Sequence, residues 1–348
     1  MISDTKSTQS TFACFITLAL VALPATAHHS GSIYDDERDV TLHGTVKNLR
    51  WANPHVIIEV DVTGETGEAA TWAIEGLPPG GLRSAGWSAQ SLNPGDQIIV
   101  SGNPARNANR KMILGHSIIK TDGTVLNMPS LRNRKGLPAL DMATPIASIN
   151  LSGRWVTRWN PEVASEFFGA RAKWPLTQKG MAAMESYDSS MDPGAKCIPE
   201  PVPYVMIFPA GKQIEIGDEV TTIRDEMGMV REINMTVESH DGASYSDHGH
   251  SIARWEDDVL VVDTTHFADH RRGLALMGLP SGKQKHLVER FELSPNKTSM
   301  QYSYWLEDPE YLAEPVTGRM ELVHRPDVLF ISEPCDIENA RNHLRFSK

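Results

Sequence analysis

The residues best suited to chemistry in this chain are two groups of histidines. The first is His28-His29. It follows Ala25-Thr26-Ala27, the small-x-small pattern after which signal peptidase cuts. Cleavage there frees the amine of His28 beside two imidazoles, a nitrogen donor set that suits Cu(II) or Zn(II). His55, on the polar side of a predicted strand together with Glu59, is a further ligand candidate, and His43 is another. The alternative is a plain tail with surface histidines, His55 being hydrogen-bonded near the Asn53-Pro54 turn.

The second group runs from Ser239 to His270 and holds His240, Asp241, Asp247, His248, His250, Asp263, His266, Asp269 and His270. Imidazole and carboxylate ligands at this density can bind Zn(II) or Fe(II). If the chain is extended, His248 and His250 project to one side. If it were helical, His266 and His270 would share a face, but the local pattern reads as loop. No HExxH pattern is present. The competing reading is a polar loop beside a strand that starts at His250.

Nucleophilic catalysis has little to work with, and no catalytic residue is assigned. There is no Gly-x-Ser-x-Gly elbow. Ser251 follows His250, and neighbours in a strand point to opposite faces. Ser281 sits in a Pro-Ser-Gly loop with no evident base. Glu75, Glu289, Glu307 and Asp308 can pair as carboxylates only if the fold collects them, and Glu289-Arg290 reads as a source of structural ion pairs. Phosphate-binding glycine loops are absent.

The elements that must position these residues read as β-structure in two units. Residues 1–27 are a signal peptide, with Lys6 ahead of an apolar run from Phe12 to Leu23 that is too short for a permanent span. Residues 28–126 form the first unit. Val56, Ile58, Val60 and Val62 alternate with more polar neighbours, and Thr71–Glu75, Gln97–Ser101 and Met112–Ile119 read as further strands. A short helix over Gly81–Trp87, between the third and fourth of five strands, gives the order of an OB-like barrel. Residues 127–150, with three prolines and Arg132-Asn-Arg-Lys135, read as a linker.

Residues 151–348 form the second unit. A helical pair is expected over Pro161–Gly169 and Pro175–Tyr187. Ten strands follow, at 204–208, 212–216, 219–225, 229–237, 250–256, 259–265, 286–293, 299–306, 317–322 and 328–332. Such an antiparallel meander hides its edges by closing, here into a lipocalin-like barrel that opens at Gly153-x-Trp155. Trp155, Trp159, Trp255 and Trp305 are expected mostly in its core.

The net charge of −11 argues against nucleic acid and against anionic membrane surfaces. After signal removal no segment is apolar for long enough to stay in a membrane, and the expected location is the periplasm or the exterior. Cys197 and Cys335 are the two cysteines left, and in an oxidising compartment they are expected to pair.

The chain also resembles an uncharacterised family of exported bacterial proteins. The likeness rests on Ala27-His-His-Ser30, Gly44-Thr-Val46, Trp51-Ala-Asn-Pro-His55, Trp72-Ala-Ile-Glu75, Pro94-Gly-Asp96, Gly102-Asn-Pro-Ala-Arg106, Leu151-Ser-Gly-Arg-Trp155, Gly249-His-Ser-Ile-Ala-Arg-Trp255, Leu260-Val-Val-Asp-Thr264, Glu307-Asp-Pro309 and Cys335. It implies an envelope or secreted location and no particular activity. The function expected from these readings is a non-catalytic binding module for a small, partly apolar ligand or a metal ion such as copper or zinc. A metal-dependent hydrolase or oxidoreductase using the 240–270 cluster is the first alternative, and a structural envelope-assembly protein is the second.

Overall fold

A computed structural model describes residues 33–64, 67–128, 146–158, 174–207, 210–275 and 278–344. The signal segment, His28, His29, most of the linker, Trp159 and the helix expected at 161–169 lie outside these residues.

The first unit is a small closed barrel. Its strands are β1 (Val40–Arg50), β2 (Ile57–Thr63), β3 (Ala69–Glu75), β4 (Gln97–Pro104), β5 (Met112–Lys120) and the short β6 (Val125–Asn127). β1 pairs with both β2 and β4, β4 pairs with β5, and β5 closes the ring by running parallel to β3. This is the connectivity expected of an OB-like barrel. β1 serves two neighbours along its eleven residues, and its register with β2 slips between Val46 and Asn48, a bulge that bends the strand. Gly102 is required in β4, since a Cβ there would meet Leu114 O at 2.1 Å. The helix α1 (Pro79–Ser84) begins with Pro at its first position and drives Leu82 into the core beside Val56, Ile58, Val60 and Ile74. β2 starts at Ile57, so His55 lies before the strand and not within it.

The second unit is a larger closed barrel of nine strands: β7 (Gly153–Thr157), β8 (Lys212–Glu215), β9 (Val220–Asp225), β10 (Val230–Asn234), β11 (His250–Glu256), β12 (Val259–Thr265), β15 (His286–Leu293), β16 (Ser299–Glu307) and β17 (Val316–His324). A two-stranded ribbon, β13 (His270–Ala275) and β14 (Leu279–Ser281), is inserted between β12 and β15. Strands in a ring can all alternate in direction only when their number is even. Nine strands force a parallel pair, and it falls at β10–β11, where the loop 235–249 crosses over. The expected all-antiparallel meander is therefore corrected at this one seam.

Two expected strands are not strands. Residues 204–207 form a helical turn, α3 (Tyr204–Ile207), buried on every side after α2 (Gln178–Glu185). Residues 328–332 join no ladder. Side chains fill the barrel interior. Met300, Tyr302, Tyr304 and Leu306 from β16 face inward with Trp155, Ile214, Ile233, Phe291, Met320 and Leu322. Trp255 points outward and is 47% exposed, contrary to its expected core position.

The C-terminal segment runs back to the first barrel, ending in α4 (Ile337–Ala340). Asn53 bridges the two units, its Nδ2 donating to Glu226 O and to Glu333 O, both at 2.7 Å. Asn339 Nδ2 donates to His55 O at 3.0 Å. Cys197 and Cys335 form a disulfide with a Cα–Cα distance of 5.9 Å, which fixes this segment to the second unit.

A histidine–carboxylate face on the second barrel

Alternation along β11, β12, β15 and β16 sends one set of side chains into the barrel and the other outward. The inward set carries a buried ionic network. Arg231 grips Glu289 through both terminal nitrogens, at 3.1 and 2.5 Å, and bonds Ser251 and Thr264. Tyr302 OH donates to Glu289 at 2.8 Å. Ser251 thus serves the interior, turned away from His250, and Glu289 is a structural ion-pair partner. Burial, with Glu289 next to it, pushes the Tyr302 hydroxyl well above its ordinary value.

The outward set, at one end of the barrel, places His250 on β11, Asp263 on β12, His286 on β15 and Glu307 on β16. The crossover loop lays His240 across this face. His240 Nδ1 stands 2.8 Å from His250 Nδ1, and its Nε2 is 3.1 Å from Asp263 Oδ1. His286 Nε2 reaches both Asp263 oxygens at 3.2 Å, while its Nδ1 is 3.5 Å from Glu307. His266, held in the left-handed region at φ 57°, presents its ring 6.1 Å from that of His240 and 6.5 Å from that of His250. Tyr245 packs 5.1 Å from His266, and Trp305 meets His286 edge-on at 5.5 Å.

One assignment of protons satisfies the centre of this line. Asn234 Nδ2 donates to Ser251 O at 3.1 Å and faces His250 Nε2 at 3.3 Å. An amide nitrogen offers only hydrogens, so His250 Nε2 accepts and its Nδ1 carries the proton. That proton is donated to His240 Nδ1, and His240 Nε2–H is donated to Asp263. Burial, reinforced by His240 and His266, lowers the pKa of His250. The hydrogen bond from His286 holds Asp263 below the usual carboxylate range, and Asp263 in turn raises His286. Asp263 is the hub, an acceptor between two imidazoles.

The histidines singled out in the sequence divide. His250 and His266 join this face. His248 does not, because Gly249 at φ 70° turns the backbone and breaks the extended alternation that would have aligned the two. Burial first, with the charge of Arg231 next, lowers His248 to about 4. His270 starts β13 and lies buried opposite Ser281. Burial and the nearby Lys285 lower it to about 4 as well. No helix joins His266 to His270. Ser281, at the end of β14 in the ribbon, is itself 1% exposed. His55 sits apart on the first barrel, its Nδ1 bonded to Gly76 O at 3.2 Å. His240, Asp263, His286 and Glu307 complete the line. His240 and Asp263 belong to the group read from the sequence, His240 arriving on the crossover loop, whereas His286 and Glu307 join through strand register, which spacing along the chain does not display. Among the described residues, no three histidine, cysteine or acidic side chains close around a metal ion as they stand.

Residues 16–114 match the model of a family of unknown function (DUF6152). The match covers well under half of the chain and, within the described residues, ends inside β5 of the first barrel, so it does not reach the histidine face. No curated protein and no solved structure matches the chain.

Proposed function

We propose that this is an exported, non-catalytic binding protein whose recognition surface is the histidine–carboxylate face of the second barrel. The observation that carries the reading is the division of labour in that barrel. Its interior is occupied by side chains and a closed ion pair, whereas Asp263, His286 and Glu307 are partly exposed on the outside, with a crossover loop delivering His240 to them. A small cleft beside Trp155, Lys212 and the 328–330 segment holds only about 10 Å³, at or below the room one water needs. The larger concavity, an open groove of about 690 Å³ at the 294–299 hairpin, lies at the far end of β15 from His286.

Export is part of the proposal. The disulfide suits an oxidising compartment, and the Ala25-Thr26-Ala27 pattern supplies a cleavage point. N-terminal sequencing of protein recovered from the cell envelope should read His28 first.

The binding reading is tested by native mass spectrometry of protein exported by its own host, beside the His240→Ala/Asp263→Ala double variant. A bound component carried by the parent and lost from the variant is expected. Equal masses after allowance for the substitutions, with both proteins folded, would overturn the assignment of the site to this face.

A further inference from the structure

We propose that His240, His250 and His266 bind a single Cu(II) or Zn(II) ion, with Asp263 positioning His240. The inference rests on the reading of this face as the binding surface and names its ligand. Two imidazoles sharing one ion at about 2.0–2.1 Å each hold their bonding nitrogens about 2.9 Å apart at a right angle and about 3.3 Å apart at a tetrahedral one, so a small widening of the pair admits the ion. The Nδ1 atoms of His240 and His250 are already 2.8 Å apart. This is a preformed half-site, built from a strand and a loop that no local sequence pattern joins.

The surroundings match what a metal-bound imidazole requires. His240 gives its remaining N–H to Asp263 at 3.1 Å, and Asp263 is itself fixed by His286. A carboxylate on the far nitrogen of a ligating histidine sets the tautomer and raises ligand basicity. His266 is the third donor. Its Nδ1 is engaged by Thr265 Oγ1 at 2.9 Å, so Nε2 is the nitrogen available to the ion. Its ring stacks over His240 at 6.1 Å and must turn inward about its side-chain bonds to close the set. Three neutral imidazoles with no thiolate favour Cu(II) or Zn(II) over Ca(II) or Mg(II).

The ion takes the place of the proton now shared by the two Nδ1 atoms. That proton moves, through solvent, to Nε2 of His250, and the imidazole remains neutral. Asn234 resists the change, because its amide nitrogen faces that same Nε2. Asn234 is therefore a specificity-setting residue of the half-site, and replacing it with an acceptor tilts His250 toward the metal-binding tautomer.

The test is titration calorimetry with zinc chloride and with copper sulfate on the full exported chain. His28→Ser and His29→Ser are included throughout, so that the amino terminus adds no ligands. One ion per chain is expected. His240→Ala or His250→Ala should weaken binding at least about 100-fold. Asp263→Asn should weaken it about 10- to 100-fold, and Asn234→Asp should tighten it. His55→Ala should change nothing. Copper electron paramagnetic resonance should show nitrogen couplings that are lost in His240→Ala. No binding by the parent, or binding indifferent to His240 and His250, overturns the metal assignment. If the parent takes no metal yet carries a His240-dependent component in native mass spectrometry, the surface reading stands and only the metal falls. Asn234→Asp keeps all three ligands, so its effect is readable even if a histidine variant fails to fold.

Discussion

Lys285 shows how strongly single residues are constrained beneath the ribbon. It is 1% exposed, its amine bonded to Val202 O at 2.5 Å and Gly273 O at 3.0 Å and lying 4.2 Å from the Phe267 ring centre. Burial lowers its pKa to about 7, outweighing the opposing pull of Asp308 and Glu289. An unfolded lysine titrates near 10.4. Between those values the unfolded chain holds a proton that the folded chain has released, so stability rises with pH. Urea midpoints should move upward from pH 7 to pH 9 by the equivalent of roughly 2 kcal/mol for this group. Lys212, lowered to about 8 mainly by burial, adds a smaller rise in the same direction. Lys285→Met should lose the larger part and keep the smaller. An unchanged rise in that variant would show that Lys285 does not titrate in this window.

At the scale of elements, the turn between β11 and β12 carries a second prediction. Asp257-Asp258 closes this hairpin with Asp257 at φ 53°. Aspartate tolerates that conformation and a β-branched residue does not. Asp257→Gly should leave thermal stability almost unchanged, while Asp257→Val should lower it by about 1–2 kcal/mol. Equal melting of the two variants would remove backbone strain as the cause.

The same hairpin shows what the sequence makes visible. β11, β12 and β15 fall on the spans predicted for them, bounded by the turns at Asp257-Asp258 and Ser294–Lys297. Residues 204–207 misled because an element buried all round loses the polar face that separates a strand from a helix. The ribbon strand β13 was hidden by Arg271-Arg272-Gly273, whose charges fit no period-two pattern. The histidine face was half legible. A density of histidines and carboxylates pointed to 240–270, but Gly249 and the parallel seam decided which of them meet. His286 and Glu307 joined through register alone.

At the scale of the molecule, two closed barrels leave few free strand edges for joining one to the other. The connection is made by the C-terminal segment and by side-chain amides. Asn53 N–H donates to Pro334 O at 3.2 Å, Asp336 N–H donates to Asn53 O at 2.9 Å, and Arg50 pairs with Glu338 at 2.7 Å. Arg83 from α1 pairs with Glu333. The disulfide anchors this segment across a separation of 138 residues. In the chain-entropy model a loop of that length contributes about 5 kcal/mol. Cys335→Ser should therefore lower the unfolding free energy by a large part of that amount. Its effect on local motion should be uneven, because each barrel keeps its own core and ladders. Hydrogen exchange should quicken over 50–56 and 333–344 and stay slow in β2 and β16, which lie within closed rings. If exchange accelerates equally in all four segments, the two barrels unfold as one unit and the C-terminal segment is not a separable clamp.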